Sequence, residues 1–175
     1  MEAVRKFVLS FGLSLSDVEV PAETLYAENR QIIDSTTPRR AFVPHPRLLA
    51  VRGFPRELDE VTLANHPDHP EMGRRTLPLT DTFYLSEADL SVHQGSEVRL
   101  KDLLNLRLPA EIPPEGPVVA EFTSRENRRL PRLQWVPRTG AVPIDLLQID
   151  GHHTTGMGEP AIASAEPGAS FQFER

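Results

Sequence analysis

The chain contains no cysteine, so disulfide bonds and thiolate-bound metal sites are both excluded. It also lacks any run of about 18 apolar residues, the length that a membrane-spanning helix requires. The first residues, MEAVRKFVLSFG, turn polar too quickly for a secretory signal peptide. Together these absences predict a soluble, cytoplasmic protein that does not contact a membrane and is stabilised by packing alone.

No pattern typical of an autonomous enzyme is present either. The chain lacks the GxSxG nucleophile turn, the GxxxxGK[ST] phosphate loop and the GxGxxG dinucleotide motif. Its acidic residues are scattered, and sequence alone identifies no pair of them for acid–base catalysis. We therefore expect no catalytic residue, no cofactor and no metal site in this chain.

One short segment, NHPDHPE at residues 65–71, does gather the histidines and carboxylates that metal sites use. Pro67 and Pro70 make this segment a stiff turn, and only His152 and His153 offer a further cluster to close a coordination shell. We favour a rigid connector here, with metal binding as the open alternative.

Lysine is rare as well, since the 19 basic residues include only Lys6 and Lys101. The formal net charge of -6 argues against a general, salt-driven attraction to nucleic acid. Arginine, however, stacks on RNA bases and bonds their edges, so a few arginines would suffice for local recognition. The arginines cluster at residues 39–40, 74–75, 99–107 and 125–138.

What the chain does contain begins with two helical patterns. Its first apolar residues recur at the spacing of one helix face, namely Val4, Phe7, Val8 and Phe11. This spacing predicts a helix that ends near Gly12. A second helix is predicted to open at Pro21 and to continue through AETLYAENRQIID.

From Arg39 onward, short alternating runs lie between turn-rich pieces, and the 17 prolines are typical of such breaks. This pattern predicts antiparallel barrels or sandwiches. The clearest run, GSEVRLKDLLNLRL at residues 95–108, is interpreted as one strand with two faces. Its apolar face holds Val98, Leu100, Leu104, Leu106 and Leu108. Its polar face holds Arg99, Lys101, Asn105 and Arg107, and only Asp102 and Leu103 break the alternation.

The residues after this region are expected to be less regular. Residues 151–170 are rich in glycine and other small residues, so they are predicted to form a loop. The final segment, FQFER, is predicted to be a strand.

Two segments resemble the C-terminal anticodon-binding region of archaeal and eukaryotic-type glutamyl-tRNA synthetases. They are NHPDHPEMGRRTLPLTDTFYLSEADL and, following it, GSEVRLKDLLNLRL. AENRQIIDSTTPRRAFV, LQWVP and FQFER also occur in family order, so the resemblance covers nearly the whole chain. It implies a mainly β fold of two small antiparallel β-barrels, of the ribosomal 5S-rRNA-binding-protein type, preceded by short α-helices. The implied domains are a helical stem-contact segment at 1–36, a proximal barrel from 37–66 and 138–175, and a distal barrel at 67–137.

The resemblance also implies that the chain is one part of a longer enzyme. Members of the family carry an N-terminal catalytic domain of Rossmann type, which uses ATP and magnesium to attach glutamate to tRNA(Glu). None of its motifs is present here, so we expect the natural polypeptide to extend beyond Met1 and Arg175. This part is then non-catalytic, monomeric, and a partner of tRNA rather than of DNA; whether tRNA(Gln) is also a partner stays open.

Five residues are implied as contacts of the anticodon. Arg39, Gln172 and Arg175 match the residues that hold the central uridine in the related glutaminyl-tRNA synthetases, and amide and guanidinium groups suit its edges. Arg99 and Lys101 match the pair that holds the first anticodon nucleotide. Lysine stands here in place of the relatives' second arginine, which favours a phosphate contact over bidentate base recognition.

The third anticodon base distinguishes glutamine tRNAs, which carry guanine there, from glutamate tRNAs, which carry cytosine. The glutaminyl relatives read the guanine with an arginine whose position corresponds to Ser91, so the missing arginine favours glutamate. The arginines of residues 125–132 are alternative readers. Three other identities stay open: the same region of a glutaminyl-tRNA synthetase, a stand-alone 5S-rRNA-binding-type ribosomal or stress protein, and a protein-interaction scaffold that binds no RNA.

Overall fold

The computed structural model describes residues 2–12 and 19–174. The chain divides into two compact units, the first comprising residues 1–38 and 170–172, and the second comprising residues 39–169 and 173–175. Within the described ranges, no helix is both long enough and apolar enough to cross a membrane.

The first unit contains the two predicted helices, α1 (Glu2–Ser10) and α2 (Ala22–Asp34), which pack against each other. Phe7 and Phe11 meet edge to face, with ring centroids 4.9 Å apart. The chain leaves α1 at Gly12, whose φ of 64° a residue with a side chain rarely adopts. Both helices lie where the apolar spacing predicted them.

The second unit is mainly β, as predicted. In chain order its strands are β1 (Arg39–Pro44), β2 (Pro46–Arg52), β3 (Glu60–Ala64), β4 (Arg74–Pro78), β5 (Thr82–Ser86), β6 (Glu97–Leu100), β7 (Asn105–Arg107), β8 (Val118–Ser124), β9 (Arg132–Leu133), β10 (Val136–Pro137), β11 (Val142–Leu147), β12 (His153–Gly158) and the last two residues of β13 (Gln172–Glu174). A short helix, α3 (Glu87–Val92), follows β5, and single 3-10 turns cover Pro70–Met72 and Pro160–Ile162.

These strands form three sheets. A seven-stranded sheet has the order β10-β5-β2-β8-β7-β6-β9, a four-stranded sheet has the order β11-β12-β1-β13, and β3 and β4 form a hairpin. Most pairs are antiparallel, but β2 and β8 run parallel, as do β6 and β9. The large sheet curls into a half-barrel, and closure into two separate barrels is not confirmed. The domain boundaries implied by the resemblance stay a prediction. β2 lies in the range predicted for the proximal barrel, yet it pairs with β5 and β8, which lie in the range predicted for the distal barrel.

The core of the second unit is rich in leucine and includes aromatic contacts around Phe83. Phe83 of β5 is fully buried, and its ring meets the Trp135 indole at 90° with centroids 5.4 Å apart. The indole Nε1 donates a hydrogen bond to Lys101 O at 2.9 Å. The core thereby fixes the backbone of the turn that follows β6.

Residues 95–108 form a hairpin, so the interpretation as one strand was wrong. β6 and β7 pair antiparallel with Arg99 opposite Asn105, and the turn between them includes Asp102, whose φ is 58°. The predicted apolar face is confirmed, because its members are at most 2% exposed: Val98, Leu100, Leu104, Leu106 and Leu108. Arg99 and Asn105 are buried too, because the segment after β8 covers them.

The predicted loop at residues 151–170 contains a strand, so that expectation was partly wrong. β12 lies between β11 and β1 in the four-stranded sheet. A Cβ atom on Gly156 would overlap Val43 O and the Phe42 ring, and one on Gly158 would overlap the Ile144 side chain. The glycines therefore permit close approach of neighbouring backbone and side chains, which is one of their uses in strands.

Candidate nucleic-acid interface

Lys101 lies in the turn after β6, and its side chain reaches the final strand. Its Nζ atom forms an ion pair with Glu174 Oε2 at 2.8 Å. Its backbone N–H donates to Leu133 O at 3.0 Å, and its carbonyl accepts from Trp135. The side chain is 32% exposed, and an ammonium group has three donors, so it can bind a phosphate while it contacts Glu174.

Arg99 lies two residues earlier and is only 7% exposed. Its Nη1 donates to Asn105 Oδ1 at 2.8 Å and to Glu126 O at 2.9 Å. Asn105 is fully buried, and its Nδ2 donates to the same Glu126 carbonyl and to Ser124 Oγ, each at 2.8 Å. Arg99 and Asn105 therefore hold the chain from inside where it leaves β8.

The segment they hold is the arginine-rich loop, which we define as residues 124–132. Its four arginines are exposed, at positions 125, 128, 129 and 132. Arg128 Nη1 lies 2.6 Å from Glu97 Oε1, which also accepts a hydrogen bond from Thr123 at 2.7 Å. The Thr123 hydrogen bond and the Arg128 charge lower the pKa of Glu97 below its ordinary value of 4.5. The loop presents cations to solvent from a backbone that is fixed at several points.

The three residues implied for the central uridine are placed as follows. Arg39 opens β1, and its N–H donates to Asn65 O at 2.7 Å. Gln172, in the first unit, donates its N–H to Pro38 O at 3.0 Å, and its Nε2 is buried without a hydrogen bond to any described residue. Arg175 lies outside the described residues. A shared site for these three stays a prediction.

The neighbouring arginines have structural partners. Glu159 is fully buried beside two guanidinium groups, with Oε1 2.5 Å from Arg75 Nε and 3.5 Å from Arg40 Nε. Its Oε2 accepts from Ala41 N and from Arg75 Nη2, both at 2.9 Å. Burial lowers the pKa of Arg40, while Glu159 acts in the opposite direction. This cluster joins β1, β4 and the turn after β12.

Ser91, at the position of the relatives' guanine-reading arginine, lies on α3. Its hydroxyl donates to Glu87 O at 2.9 Å, one turn earlier on the same helix. A side chain bonded to its own helix in this way offers little reach toward a ligand, and the correspondence of Ser91 to the relatives' guanine reader stays a prediction.

The segment at residues 65–71 forms a compact turn. His66 is 1% exposed and its Nδ1 accepts from Asp68 N at 3.1 Å, while His69 Nδ1 lies 2.8 Å from Glu71 Oε1. His153 contacts Asp145 at 2.8 Å. In the described part of the chain, no group of three or more histidine, cysteine, aspartate or glutamate residues could hold a metal ion.

Sequence reasoning missed two members of this arrangement. Glu174 lies inside the quoted FQFER motif but was assigned no role, although a carboxylate between two proposed RNA contacts is a usable signal. Asn105 belongs to the polar face of the alternation pattern, which gives no signal of its burial.

Comparison with known proteins gives consistent matches. Residues 37–123 match the family model described as "tRNA synthetases class I (E and Q), anti-codon binding domain". Over 99% of its length, the chain is 34% identical to the glutamate–tRNA ligases of Methanoculleus marisnigri and Methanocella arvoryzae. It is 33% identical, over the same share, to that of Pyrococcus abyssi. The chain spans about 30% of the length of these relatives.

Proposed function

Because this chain belongs, through residues 37–123, to the anticodon-binding domains of the class I tRNA synthetases for glutamate and glutamine, we propose that it binds the anticodon loop of tRNA(Glu). The family match is the observation that carries this proposal. Glutamate is favoured over glutamine because the similar proteins reported above are glutamate–tRNA ligases. A stand-alone ribosomal or stress protein, and a scaffold that binds no RNA, are not favoured by these relatives.

We further propose that the chain acts as one part of a glutamate–tRNA ligase. In that setting a separate catalytic domain of the same polypeptide binds ATP and magnesium and attaches glutamate to the tRNA. This chain contributes discrimination among tRNAs, and the enzyme works as a cytoplasmic monomer. Binding of the tRNA(Gln) anticodon as a second target is an outcome that the third-base exchange in the experiment below distinguishes.

The proposed roles of individual residues follow their chemistry. Arg39, Gln172 and Arg175 hold the central uridine through amide and guanidinium groups. Lys101 binds a phosphate near the first anticodon nucleotide, since its compact charge lacks the fork that bidentate base recognition uses.

Arg99 contributes to binding of the first anticodon nucleotide indirectly, by positioning the arginine-rich loop. Its hydrogen bonds to Asn105 and to Glu126 O support this role, because they direct Nη1 of a buried guanidinium toward the protein. The exposed arginines of that loop then contact the RNA backbone next to Lys101.

The acidic total of -6 is compatible with this function. Base recognition in single-stranded RNA depends on stacking and edge contacts, and each stacked base contributes about 1–3 kcal/mol. A small number of cations placed together, as in the arginine-rich loop, then suffices to bind the phosphates. The affinity should still fall with rising salt.

The test uses the 175-residue chain and fluorescein-labelled 17-nucleotide stem-loops that carry the anticodon of tRNA(Glu). Fluorescence anisotropy should show that exchanging the central uridine for adenine weakens binding by about tenfold, as expected for one recognised base. Arg39→Ala should remove that preference. Arg52→Ala is the matched control, because the Arg52 side chain is 71% exposed and its ion-pair partner, Glu121, is exposed as well.

Two results would contradict the proposal. Equal affinity for the glutamate stem-loop and for an unrelated stem-loop of the same length would exclude anticodon recognition. Tighter binding after exchange of the third base from cytosine to guanine would show that glutamine, rather than glutamate, is the specificity of this domain.

A further inference from the structure

The segment NHPDHPE belongs to the loop that joins β3 to β4, which we call the β3–β4 loop, residues 65–73. Ala64 pairs with Arg74, so the loop begins and ends where the pairing of the two strands stops. Its first residue, Asn65, contacts the start of β1 through both its backbone and its side chain. The loop therefore connects the β3–β4 hairpin to the strand that begins with Arg39.

Asn65 fixes the backbone of Arg39 on both sides. The Asn65 carbonyl accepts the Arg39 N–H at 2.7 Å. Asn65 Oδ1 accepts from Arg40 Nη1 at 2.8 Å, and the same Nη1 donates to Arg39 O at 2.9 Å. The N–H of Arg39 is thus held by Asn65 directly, and its C=O is held by Asn65 through the Arg40 guanidinium.

The β3–β4 loop in turn fixes Asn65. Asn65 Nδ2 donates to Met72 O at 2.9 Å, and Asn65 N donates to Gly73 O at 3.0 Å. Gly73 has a φ of 74° and a ψ of -160°, a combination that is nearly restricted to glycine. Inside the loop, the buried His66 accepts a hydrogen bond from Asp68 N. The loop is therefore closed by contacts of its own before it reaches β1.

The Asn65 side chain makes two contacts of opposite kind. Its Oδ1 accepts from a guanidinium group, and its Nδ2 donates to a backbone carbonyl. An amide offers both an acceptor and a donor, whereas a carboxylate only accepts. Both contacts are partly buried, so a partner left without its hydrogen bond is costly there. Asparagine at this position therefore suits a link between the loop and β1.

We infer that Asn65 is a positioning residue for Arg39, and that the β3–β4 loop is the support that holds Arg39 in place for the central uridine. This inference rests on the proposed function, in which Arg39 holds that base. Hydrogen bonds weaken steeply outside a narrow range of distance and angle, and a site must be held within about 0.5 Å. A displaced Arg39 backbone therefore reduces the preference for uridine.

The test uses the full 175-residue chain and stem-loops with uridine or adenine at the central anticodon position. The wild type should prefer uridine by about tenfold. Asn65→Ala should reduce that preference about fivefold, to about twofold, as the loss of one hydrogen bond typically does. Fluorescence anisotropy measures both affinities. Lower stability alone reduces the folded fraction equally for both stem-loops, so the ratio of affinities reports positioning.

Gly73→Ala disturbs the loop without changing the Asn65 side chain. Alanine is strained at the φ and ψ of Gly73, whose carbonyl accepts from Asn65 N, so this variant should also reduce the uridine preference. Gly116→Ala is its matched control, because Gly116 has a φ of 78° in another loop. Asn29→Ala is the control for Asn65→Ala, because Asn29 is exposed on α2. Both controls should keep the wild-type preference.

The double variant Arg39→Ala/Asn65→Ala tests whether Asn65 acts through Arg39. Once Arg39→Ala has removed the uridine preference, adding Asn65→Ala should change the affinities for the two stem-loops by the same factor. A further loss confined to the uridine stem-loop would mean that Asn65 contacts the base itself, and it would overturn the positioning role.

Failure of this inference is distinguishable from failure of the proposed function. Circular dichroism confirms that each variant is folded, and Gly73→Ala decides the question if Asn65→Ala does not fold. If Arg39→Ala abolishes the uridine preference while the folded loop variants keep it at the wild-type value, this inference alone is overturned. A wild-type chain that does not distinguish central uridine from adenine contradicts the proposed function and this inference together.

Discussion

Lys101 Nζ lies 2.8 Å from Glu174 Oε2, which joins the turn after β6 to β13. The two residues are 73 positions apart in the chain. The contact brings together the EVRLK and FQFER segments, the two motifs to which RNA recognition was assigned. A lysine in this position carries its charge to the side chain of Glu174 in β13.

Lys101→Ala should weaken binding of all anticodon stem-loops to a similar extent, because a phosphate contact carries no base information. The slope of log K against log salt is negative, and it should become less steep by about 0.7, the value for one phosphate contact to single-stranded nucleic acid. Anisotropy titrations between low and moderate salt measure both effects. Lys101→Arg should keep the slope, and a loss confined to one anticodon sequence would instead make Lys101 a base reader.

Asn105→Ala should weaken RNA binding nearly as much as Arg99→Ala. Each variant removes one of the two donors to Glu126 O and thereby releases the arginine-rich loop. The effect of Asn105→Ala on RNA binding is indirect, because Asn105 is fully buried and cannot touch the RNA itself. Each should also reduce the free energy of unfolding by about 1–3 kcal/mol, because a buried hydrogen-bonding partner is lost. Urea titration measures the stability, and anisotropy measures the affinity.

The double variant separates the two roles of Arg99. If both residues act through the loop, the losses should be non-additive, with a coupling free energy of about 0.5–3 kcal/mol. If Arg99→Ala weakens binding while Asn105→Ala binds RNA like the wild type, Arg99 contacts a base itself and the loop-positioning role is wrong.

The hairpin at residues 95–108 illustrates how far the sequence predicts this fold. Period-two alternation identified five of the six buried apolar side chains of the segment, because pleated strands place alternate residues on one face; the sixth is Leu103. Its two exceptions, Asp102 and Leu103, fall in the turn between β6 and β7. The single-strand interpretation failed because alternation continues with the same parity on both sides of the turn.

Other parts of the fold and site depend on contacts that a local pattern does not contain. β12 has few β-formers, and it is a strand because Gly156 and Gly158 fit between β1 and β11. Arg99 belongs to the polar side of the alternation, yet the distant arginine-rich loop buries it. The family resemblance supplied the order of the candidate site residues, but not their burial or their partners.

Glu159→Gln should destabilise the second unit by about 3–5 kcal/mol, the usual cost of removing one partner from a buried ion pair. The carboxylate is 0% exposed, and the side chains of Arg40 and Arg75 are 12% and 7% exposed, so both cations would lose their buried counter-charge. Urea unfolding followed by Trp135 fluorescence measures the change. Glu121→Gln is the matched control, because its pair with Arg52 is exposed and such pairs contribute about 0–1 kcal/mol. Similar stability losses in the two variants would contradict a structural role for the buried cluster.

Glu97 should make the stability of the hairpin and arginine-rich loop depend on pH. The hydrogen bond from Thr123 and the charge of Arg128 lower the pKa of Glu97 below 4.5 in the folded protein. A carboxyl group whose pKa is lower in the folded state stabilises it fully above the unfolded-state pKa. That contribution is lost as the pH falls below about 4.5 and passes through the folded-state pKa. The difference in unfolding free energy between the wild type and Glu97→Gln should therefore be present at neutral pH and vanish in acid.

Thr123→Val should bring the folded-state pKa of Glu97 closer to its unfolded-state value, because it removes the largest cause of the lowered pKa. The pH range over which Glu97 changes the stability should therefore become narrower. Urea titrations at a series of pH values for the wild type and both variants measure the effect. A wild-type advantage over Glu97→Gln that persists unchanged in acid would mean that packing of the side chain, rather than its charge, fixes the loop. In that case the exposed arginines would keep their arrangement when Glu97 is protonated. Protonation of Glu97 in mild acid would then leave the contacts between these arginines and the RNA phosphates unchanged.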